Sequence, residues 1–310
     1  MTMSNFLIIG AARSGTTALW EYLNEHPQVY LCTPKHTRFF ASEGKIPDFA
    51  GPKPPGLGAR STNRAPYAII NIEDYRALFD GVTSETAIGE ASHSYLYTPG
   101  TPERIRNYVP DARLIAVLRD PVERAYSHFS FMVQNGREPA SDFMQAIEEE
   151  EAGKRDDWWP TFQYLRVGFY YAQLQRYFDL FEPGQIKIYL QEDLRFDTLG
   201  VVQDAFRFLE VDDTYAPNVA KSHNASGIPK NAALEALMGR PNFVKRILRT
   251  YLPEEQRALI SNKVAKIRAR NLAKPPRLQR ESREALVERY REDILGLQGL
   301  IQRDLSAWMT

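Results

Sequence analysis

A glycine-rich turn near the start of the chain carries the first residues arranged for chemistry. In FLIIGAARSGTTALW, Gly10 and Gly15 lie five positions apart and follow a short apolar run. A strand that ends at Gly10 and turns into a helix near Thr16 directs free backbone N–H groups and the positive end of the helix dipole at one spot. Thr16 and Thr17 add hydroxyl donors, and Arg13 adds a guanidinium group. This segment therefore predicts an anion-binding site.

The same turn departs from a Walker-type nucleotide-binding loop at one position. That loop has the pattern GxxxxGK[ST], in which the lysine contacts phosphate. Thr16 occupies the lysine position here, and no acidic residue is obviously placed as a magnesium-binding partner. Both departures disfavour a magnesium-dependent nucleoside triphosphatase or phosphotransferase, which stays open as an alternative interpretation of the loop.

A second polar element follows another apolar run further along the chain. In LIAVLRDPVERAYSHF, Arg119 ends the apolar run and Ser127 follows eight residues later. Proline is favoured at the first position of a helix, so Pro121 predicts that a helix begins there. Arg119 and the first helical turn should then face the same crevice as the glycine-rich turn. The structural alternative is a local salt bridge between Arg119 and Asp120, with Ser127 facing solvent.

Alternating strands and helices must position these residues. Four apolar runs predict buried strands: FLII (6–9), the run around Ile88, LIAVL (114–118) and IKIYL (186–190). Helical spacing of apolar residues lies between them, in ALWEYLNEH, PERIRNYV, PVERAYSHFSFM and YYAQLQRYFDLF. This alternation predicts an α/β fold with a central, mostly parallel sheet flanked by helices. Ligands bind such sheets at the carboxyl ends of the strands, where Gly10 and Arg119 lie.

Composition and charge argue against several functional classes. Lysine plus arginine and aspartate plus glutamate number 39 each, which disfavours a nucleic-acid-binding protein and a polybasic membrane tether. No apolar run reaches the length of a membrane-spanning helix, and the start MTMSNFLIIGAARSG predicts no signal peptide. Cys32 is the only cysteine, which fits a reducing compartment and predicts a cytoplasmic protein.

Two further segments are assigned to the same single domain, which we expect to comprise residues 1–310. Residues 43–66 contain five prolines and four glycines without periodicity, and they predict either a loop that gates an acceptor pocket or a surface excursion without a role. Residues 231–310 predict a helical C-terminal part that packs back on the sheet, because its last pattern has an apolar stripe. The stripe comprises Leu286, Tyr290, Ile294, Leu297, Ile301, Leu305 and Trp308.

Together, the two polar elements resemble those of a known enzyme family. RSGTTAL after one strand and LRDPVERAYSHF after another are similar to sulfotransferases that use 3′-phosphoadenosine 5′-phosphosulfate (PAPS). The similarity continues through residues 168–194 and is strongest to the bacterial and carbohydrate-modifying branch. The resemblance implies a P-loop-like phosphosulfate-binding loop, PAPS as co-substrate and 3′-phosphoadenosine 5′-phosphate (PAP) as product. It implies no metal, because PAPS contains its own leaving group.

The resemblance also implies which residues contact the cofactor. Arg119 and Ser127 match the arginine and serine that bind the 3′-phosphate in the family. Gly227 and Lys230 lie where the family has a loop over the nucleotide, which implies a further contact with that phosphate. Arg13 stands where many members have lysine, and it should stabilise charge on the bridging oxygen electrostatically, since arginine does not readily donate a proton. The implied 5′-phosphosulfate site comprises Arg13, Ser14, Gly15, Thr16 and Thr17.

A histidine is the expected proton acceptor. His93, in GEASHSYLY, matches the catalytic histidine of cytosolic sulfotransferases, and His36, in PKHTRFF, stands where the carbohydrate branch has a catalytic glutamate. An imidazole with an ordinary pKa of about 6.5 suits a base near neutral pH. His93 is favoured as the base and His36 is second, as base or acceptor ligand, although each could be held structurally. Ala91 replaces a lysine that supports the transferring group in related enzymes, and Lys35 could compensate if its side chain turns inward.

Two further features have both a functional and a structural interpretation. Glu90 could orient a base or bind the acceptor, or it could be a salt-bridged residue at the end of a strand. An aromatic cluster offers either a stacking surface for adenine or a sugar, or core packing. The cluster comprises Trp158, Trp159, Phe162, Tyr164, Tyr170 and Tyr171.

The sequence thus predicts a sulfotransferase that moves the sulfuryl group from PAPS to a hydroxyl or amine of a small metabolite or carbohydrate. The neutral charge balance gives no indication of a long basic cleft for a macromolecular acceptor. Two alternatives stay open. One is the phosphotransferase or nucleoside triphosphatase, and the other is a PAP- or PAPS-binding protein that has lost turnover with the lysine at position 91.

Overall fold

Five short apolar segments form the sheet on which the rest of the chain is built. The computed structural model describes residues 2–45, 48–52, 68–219 and 277–310, together with the backbone of residues 228–229 and 272–273. The strands of the sheet are β1 (Phe6–Gly10), β2 (Val29–Leu31), β3 (Ala87–Ala91), β4 (Arg113–Leu118) and β5 (Ile186–Leu190). They run parallel in the order β2-β3-β1-β4-β5. A separate antiparallel pair comprises β6 (Ile228–Pro229) and β7 (Leu272–Ala273).

Helices connect the strands of the sheet, and further helices come after β5 in the chain. The first six are α1 (Thr16–Asn24), α2 (Phe39–Ser42), α3 (Ile72–Ala77), α4 (Ser94–Tyr97), α5 (Thr101–Tyr108) and α6 (Pro121–Gln134). The others with described ends are α7 (Phe143–Glu151), α8 (Tyr170–Phe178), α9 (Gln191–Phe196), α10 (Thr198–Phe208) and α11 (Arg280–Ile301). In the described ranges, no helix is both long enough and apolar enough to cross a membrane.

The central strand β1 is buried on both faces. Phe6 and Ile8 pack with α1 and α10 on one side of the sheet, whereas Leu7 and Ile9 pack with the layer that contains α4, α6 and α8. Phe6 lies beside Gly89 of β3, where a Cβ atom would come within 2.2 Å of the Phe6 ring. Only glycine therefore fits at that position of β3. Because both faces of β1 are covered, a ligand can approach this strand only at its ends.

The predicted α/β class with a parallel sheet is confirmed. The four predicted strands correspond to β1, β3, β4 and β5. The strand β2 was not predicted, because three residues at the edge of the sheet are too few to produce a periodic pattern. The assignment of residues 1–310 to one domain stays a prediction. Most of the expected gating segment 43–66, and residues 231–271 and 274–276 of the C-terminal part, lie outside the described residues.

The C-terminal helix α11 packs against α6 and α8, as its apolar stripe predicted. Tyr290 is fully buried and donates a hydrogen bond from its hydroxyl to the carbonyl oxygen of Leu165 at 2.8 Å. Ile301 is only partly buried, whereas the other members of the stripe are buried. Arg283 on α11 also pairs with Asp120, with 2.7 Å between Nη2 and Oδ2. The end of the chain therefore supports the helix that begins after β4.

Candidate active site

A cavity of about 630 Å³ opens beside the carboxyl ends of β1, β3 and β4. Its volume lies within the range of small-molecule and cofactor sites. Ser14 is fully buried behind the glycine-rich turn and is not part of the cavity wall, and Gly227 and Lys230 lie outside the described residues. The other predicted site residues all line the cavity: Arg13, Gly15, Thr16, Thr17, His36, His93, Arg119 and Ser127.

The wall of this cavity is cationic. Its basic side chains are three arginines and three histidines, and no carboxylate occurs among the described residues that line it. These basic residues are Arg13, Arg38, Arg119, His36, His93 and His128. A concave surface with one sign of charge concentrates ligands of the opposite sign. The arrangement therefore favours an anionic ligand with more than one charged group.

The glycine-rich turn ends in a residue that requires glycine. Gly15 has a φ of 105° at the N-terminal end of α1, a conformation that side-chain-bearing residues rarely adopt. Helix α1 then begins at Thr16, so its free N–H groups are directed at the cavity. Lys35 lies against this turn, with its Nζ donating to Thr17 Oγ1 at 2.9 Å and to the Thr16 carbonyl oxygen at 3.3 Å. A lysine that is distant in sequence thus reaches the turn whose own lysine position holds threonine.

Burial changes the charge state of that lysine. Desolvation lowers the pKa of Lys35 to about 8, and Glu21 partly opposes the shift. Lys35 therefore remains mostly protonated at neutral pH but loses its charge at moderately alkaline pH. Its charge is available to an anion in the turn only below that range.

Arg13 connects the glycine-rich turn to α6. Its Nε donates to Ser127 Oγ at 3.4 Å, and its guanidinium carbon lies 4.6 Å from the centre of the Phe131 ring. Burial, followed by repulsion from Arg119, lowers the pKa of Arg13 to about 10, so it stays charged at neutral pH. The two predicted phosphate sites are therefore adjacent, with Arg13 between them.

Arg119 follows β4 and faces the cavity from the start of α6. Its Nη2 pairs with Glu123 Oε2 at 3.2 Å, and its Nη1 lies 3.5 Å from the carbonyl oxygen of Arg13. Asp120 does not form the alternative salt bridge with Arg119, since it caps α6 instead. Its Oδ1 accepts from the backbone N–H groups of Val122 and Glu123, which caps α6. Among the described residues, the Arg119 guanidinium therefore has one carboxylate, that of Glu123, to exchange for a ligand.

His36 and His93 lie side by side in the cavity wall. Their ring centres are 4.5 Å apart, and the backbone N–H of His36 donates to the carbonyl oxygen of Ala91 at 2.9 Å. Burial, with Lys35 and Arg38 next, lowers the pKa of His36 to about 3. Burial, with repulsion from His36 next, lowers the pKa of His93 well below its ordinary value. Both imidazoles are therefore neutral at pH 7 and each has a lone pair that can accept a proton.

A buried polar network supports the segment that carries His36. Glu90 is fully buried and does not line the cavity. Its Oε2 accepts from Thr37 Oγ1 at 2.7 Å and from Ser92 Oγ at 3.2 Å, while Ser92 Oγ accepts from the backbone N–H of Arg38 at 3.1 Å. Burial raises the pKa of Glu90 to about 7. Glu90 thus connects β3 to the neighbouring segment rather than contacting a ligand in this cavity.

Comparison with known proteins decides the family. The sequence profile described as "Sulfotransferase family" matches residues 5–216, more than half of the chain. The chain belongs to the sulfotransferase family. The crystal structure of a sulfotransferase from Alicyclobacillus acidocaldarius is similar over 100% of both chains, with 30% sequence identity and a TM-score of 0.74. The family predicted from the two polar elements is confirmed.

Two relatives of this sulfotransferase have names that describe different kinds of sulfotransferase. Membrane-associated sulfotransferase kil1 of Dictyostelium discoideum is 33% identical over 137 residues, which are 43% of this chain and 24% of that protein. Bifunctional heparan sulfate N-deacetylase/N-sulfotransferase 4 of Mus musculus is 26% identical over 216 residues, 69% of this chain and 23% of that protein. The chain thus spans about a quarter of the length of these curated relatives.

Two basic residues of the sulfotransferase cavity were missed in the sequence. Arg38 and His128 both line it. Arg38 lies two positions after His36, and His128 directly follows Ser127; the motifs had identified both His36 and Ser127. The only signal in the sequence was that proximity, because a side chain's direction depends on the local backbone. From the aromatic cluster, Trp159 lines the cavity. Phe162, Tyr164 and Tyr170 are part of the core.

Proposed function

We propose that this sulfotransferase moves the sulfuryl group from PAPS to a hydroxyl or amine of a carbohydrate or small metabolite and releases PAP. The observation that carries the proposal is a single cationic cavity in which the glycine-rich turn, Arg119 and Ser127 meet two neutral histidines. Membership of the sulfotransferase family supports the reaction class. PAPS carries a phosphate at the 3′ position of its ribose and a phosphosulfate at the 5′ position. These two anionic groups match the two neighbouring anion sites.

The residues of the glycine-rich turn are proposed to bind the 5′-phosphosulfate. The N–H groups at the start of α1, the hydroxyls of Thr16 and Thr17, and the Lys35 ammonium group supply donors there. Arg119 and Ser127 are proposed to bind the 3′-phosphate. PAPS supplies the sulfuryl group and the phosphate leaving group. Arg13, placed between the two sites, stabilises negative charge electrostatically.

His93 is proposed as the base that takes the proton from the acceptor, with His36 as the second candidate. Both rings are neutral at pH 7, which is the form a base requires. A bound anion near Arg13 offsets the repulsion from neighbouring cations and raises the pKa of a nearby imidazole. The cofactor would therefore make these histidines stronger bases than they are in the free protein.

The rest of the cavity suits a polar ring-shaped acceptor. Trp159 offers an aromatic surface, and Arg38 and Tyr97 offer polar groups on the same side as the histidines. The mouse relative is named a heparan sulfate N-sulfotransferase, which supports a carbohydrate acceptor by analogy. We also propose that the reaction is independent of metal, since the leaving group needs only the cationic side chains. A cytoplasmic location stays a prediction.

Calorimetric titration with PAP and with ATP, each with and without magnesium, tests the cofactor. We expect tight binding of PAP that does not depend on magnesium, and little affinity for ATP, because ATP lacks the 3′-phosphate that Arg119 and Ser127 recognise. Preference for magnesium–ATP would favour the phosphotransferase alternative. Tight PAP binding without transfer from PAPS to any carbohydrate or amine acceptor would favour the non-catalytic alternative.

The affinity for PAP should fall as pH rises above about 8. Lys35 has a pKa of about 8 in the free protein, and its protonated form attracts the phosphate. Binding therefore favours the protonated lysine and weakens as pH rises through this pKa, by about 10-fold between pH 7 and 9.5 for one charge-assisted hydrogen bond. The phosphates of PAP are already ionised throughout this range. Calorimetric titration at half-unit steps of pH measures the change.

Two variants identify the group responsible for this pH dependence. Lys35→Met should bind PAP more weakly at pH 7 and show a flatter profile, in which the fall that remains near pH 9.5 is due to Arg13, whose pKa is about 10. Lys187→Met is the matched control, because Lys187 pairs with Asp204 at 2.7 Å, whereas Lys35 contacts Thr16 and Thr17 of the cavity wall. A wild-type profile that is flat from pH 7 to 9.5 would contradict the role of Lys35.

A further inference from the structure

His128 is a polar residue of the cavity wall that the proposed roles leave unexplained. It follows Ser127 on α6, is 7% exposed and lines the cavity with Arg13 and His93. Burial of an imidazole requires a partner for its polar edges. The contacts of its two ring nitrogens therefore decide what it presents to a ligand.

Arg124 determines which nitrogen of His128 carries the proton. Its Nη1 lies 3.5 Å from His128 Nδ1, and its Nη2 donates to the carbonyl oxygen of Tyr164. A guanidinium group has donors and no acceptor, so Nδ1 must offer its lone pair to Arg124. In a neutral ring, the hydrogen then lies on Nε2. Arg124 is itself fully buried; among the described residues it forms no ion pair, and it interacts electrostatically with Glu150.

The environment also keeps His128 neutral. Burial, then Arg124 and then Arg13, lower the pKa of His128 well below its ordinary value. His128 is in turn one of the groups that lower the pKa of His93. It therefore lies within electrostatic range of both the proposed phosphosulfate site and the proposed base. Because Nδ1 faces Arg124, the polar edge left for the cavity is Nε2–H.

We propose that His128 binds the sulfuryl group of PAPS, with its Nε2–H donating a hydrogen bond to a sulfuryl oxygen. This inference rests on the proposed function and adds a residue for which the family motifs gave no role. A donor held by Arg124 needs no reorientation when the ligand arrives, and it adds no titrating charge. His128 is not the base, since its free edge carries a proton and its other nitrogen is engaged by Arg124.

Asparagine and glutamine variants separate the two edges of the ring. In His128→Asn, the amide oxygen can occupy the Nδ1 position and accept from Arg124, but no donor reaches the Nε2 position. In His128→Gln, the longer amide can place a donor near the Nε2 position. Each protein is titrated with PAPS and with PAP at about 10 °C, because a low temperature slows the hydrolysis of PAPS. The integrity of PAPS is checked afterwards.

The two ligands differ only by the sulfuryl group, so each variant has an internal control. We expect His128→Asn to bind PAPS about 10-fold more weakly than wild type and PAP equally well. His128→Gln should retain affinity for PAPS within about 3-fold. Unchanged PAPS affinity in His128→Asn, or equal weakening for PAPS and PAP, would overturn the inference. Failure of the wild type to bind either ligand would overturn the proposed function instead, and this inference with it.

Nitrogen-15 NMR of the wild-type protein provides a second measurement that does not depend on how the variants fold. With labelled histidine, we expect the His128 resonances to show the Nε2–H tautomer from about pH 6 to about pH 8. PAPS should shift the Nε2 signal more than PAP does. An Nδ1–H tautomer, or identical shifts with both ligands, would exclude the proposed hydrogen bond.

Discussion

His93→Ala should lower kcat by about 100- to 10,000-fold while leaving the affinity for PAP nearly unchanged, because the variant loses the proposed proton acceptor but none of the phosphate donors. His93 lies in the cavity wall 4.5 Å from His36, measured between ring centres, and burial keeps it neutral at pH 7. Transfer of labelled sulfate from PAPS to an acceptor found by screening carbohydrates and amines measures turnover, and calorimetry measures the affinity for PAP.

The pH profile of the same reaction provides an independent check on the base. A base works in its neutral form, so kcat/KM is lost as pH falls through its pKa in the free protein. Burial lowers the pKa of both candidate histidines below the ordinary value, so the acid limb should lie below about pH 6.5. His36→Ala is assayed beside His93→Ala, and His26→Gln is the control, since His26 bonds to Asp212 and does not line the cavity. Full turnover in His93→Ala with a large loss in His36→Ala would move the base to His36.

Arg119→Ala should weaken PAP binding by about 100-fold, because a guanidinium group can form two charge-assisted hydrogen bonds to one phosphate. The side chain lines the cavity, and its carboxylate partner among the described residues is Glu123, at 3.2 Å. Arg119→Lys should recover only part of the affinity, since an ammonium group keeps the charge and loses the forked geometry. Calorimetric titration with PAP at fixed ionic strength measures both variants.

A surface arginine provides the control for this substitution. Arg280 is 87% exposed, pairs with Glu284 and does not line the cavity, so Arg280→Ala should bind PAP as the wild type does. Equal PAP affinity in wild type and Arg119→Ala would remove Arg119 from the 3′-phosphate site. The cationic cavity would then have to bind its ligand mainly through Arg13 and Lys35.

Much of the framework of the site could be predicted from local sequence patterns. The strands β1 and β4 contain continuous apolar runs, and Arg13 and Arg119 follow them at the same edge of the sheet. Parallel strands place their carboxyl ends together, so Gly10 and Arg119 had to be neighbours once the fold class was known. The stripe on α11 similarly predicted that this helix packs on the domain.

Other features depend on contacts between residues that are far apart in sequence. The Lys35 ammonium group supports a turn that ends at Thr17, and no spacing rule predicts the direction of that side chain. Arg13 faces Ser127 across 114 positions of sequence. Arg124 and His128 are one helical turn apart, but their burial depends on the elements that pack against α6. Such contacts follow from how helices pack, not from local propensity.

By itself, the sequence determined the parallel α/β framework, the positions of the two polar elements and the family, because apolar periodicity and short glycine, arginine and serine motifs act locally. Only the tertiary structure decided that the cavity has no acidic lining among its described residues and that Lys35 reaches the turn. It also decided that the three histidines in the wall are neutral. The physical reason is that charge states and side-chain partners depend on burial, and burial is a property of the assembled fold.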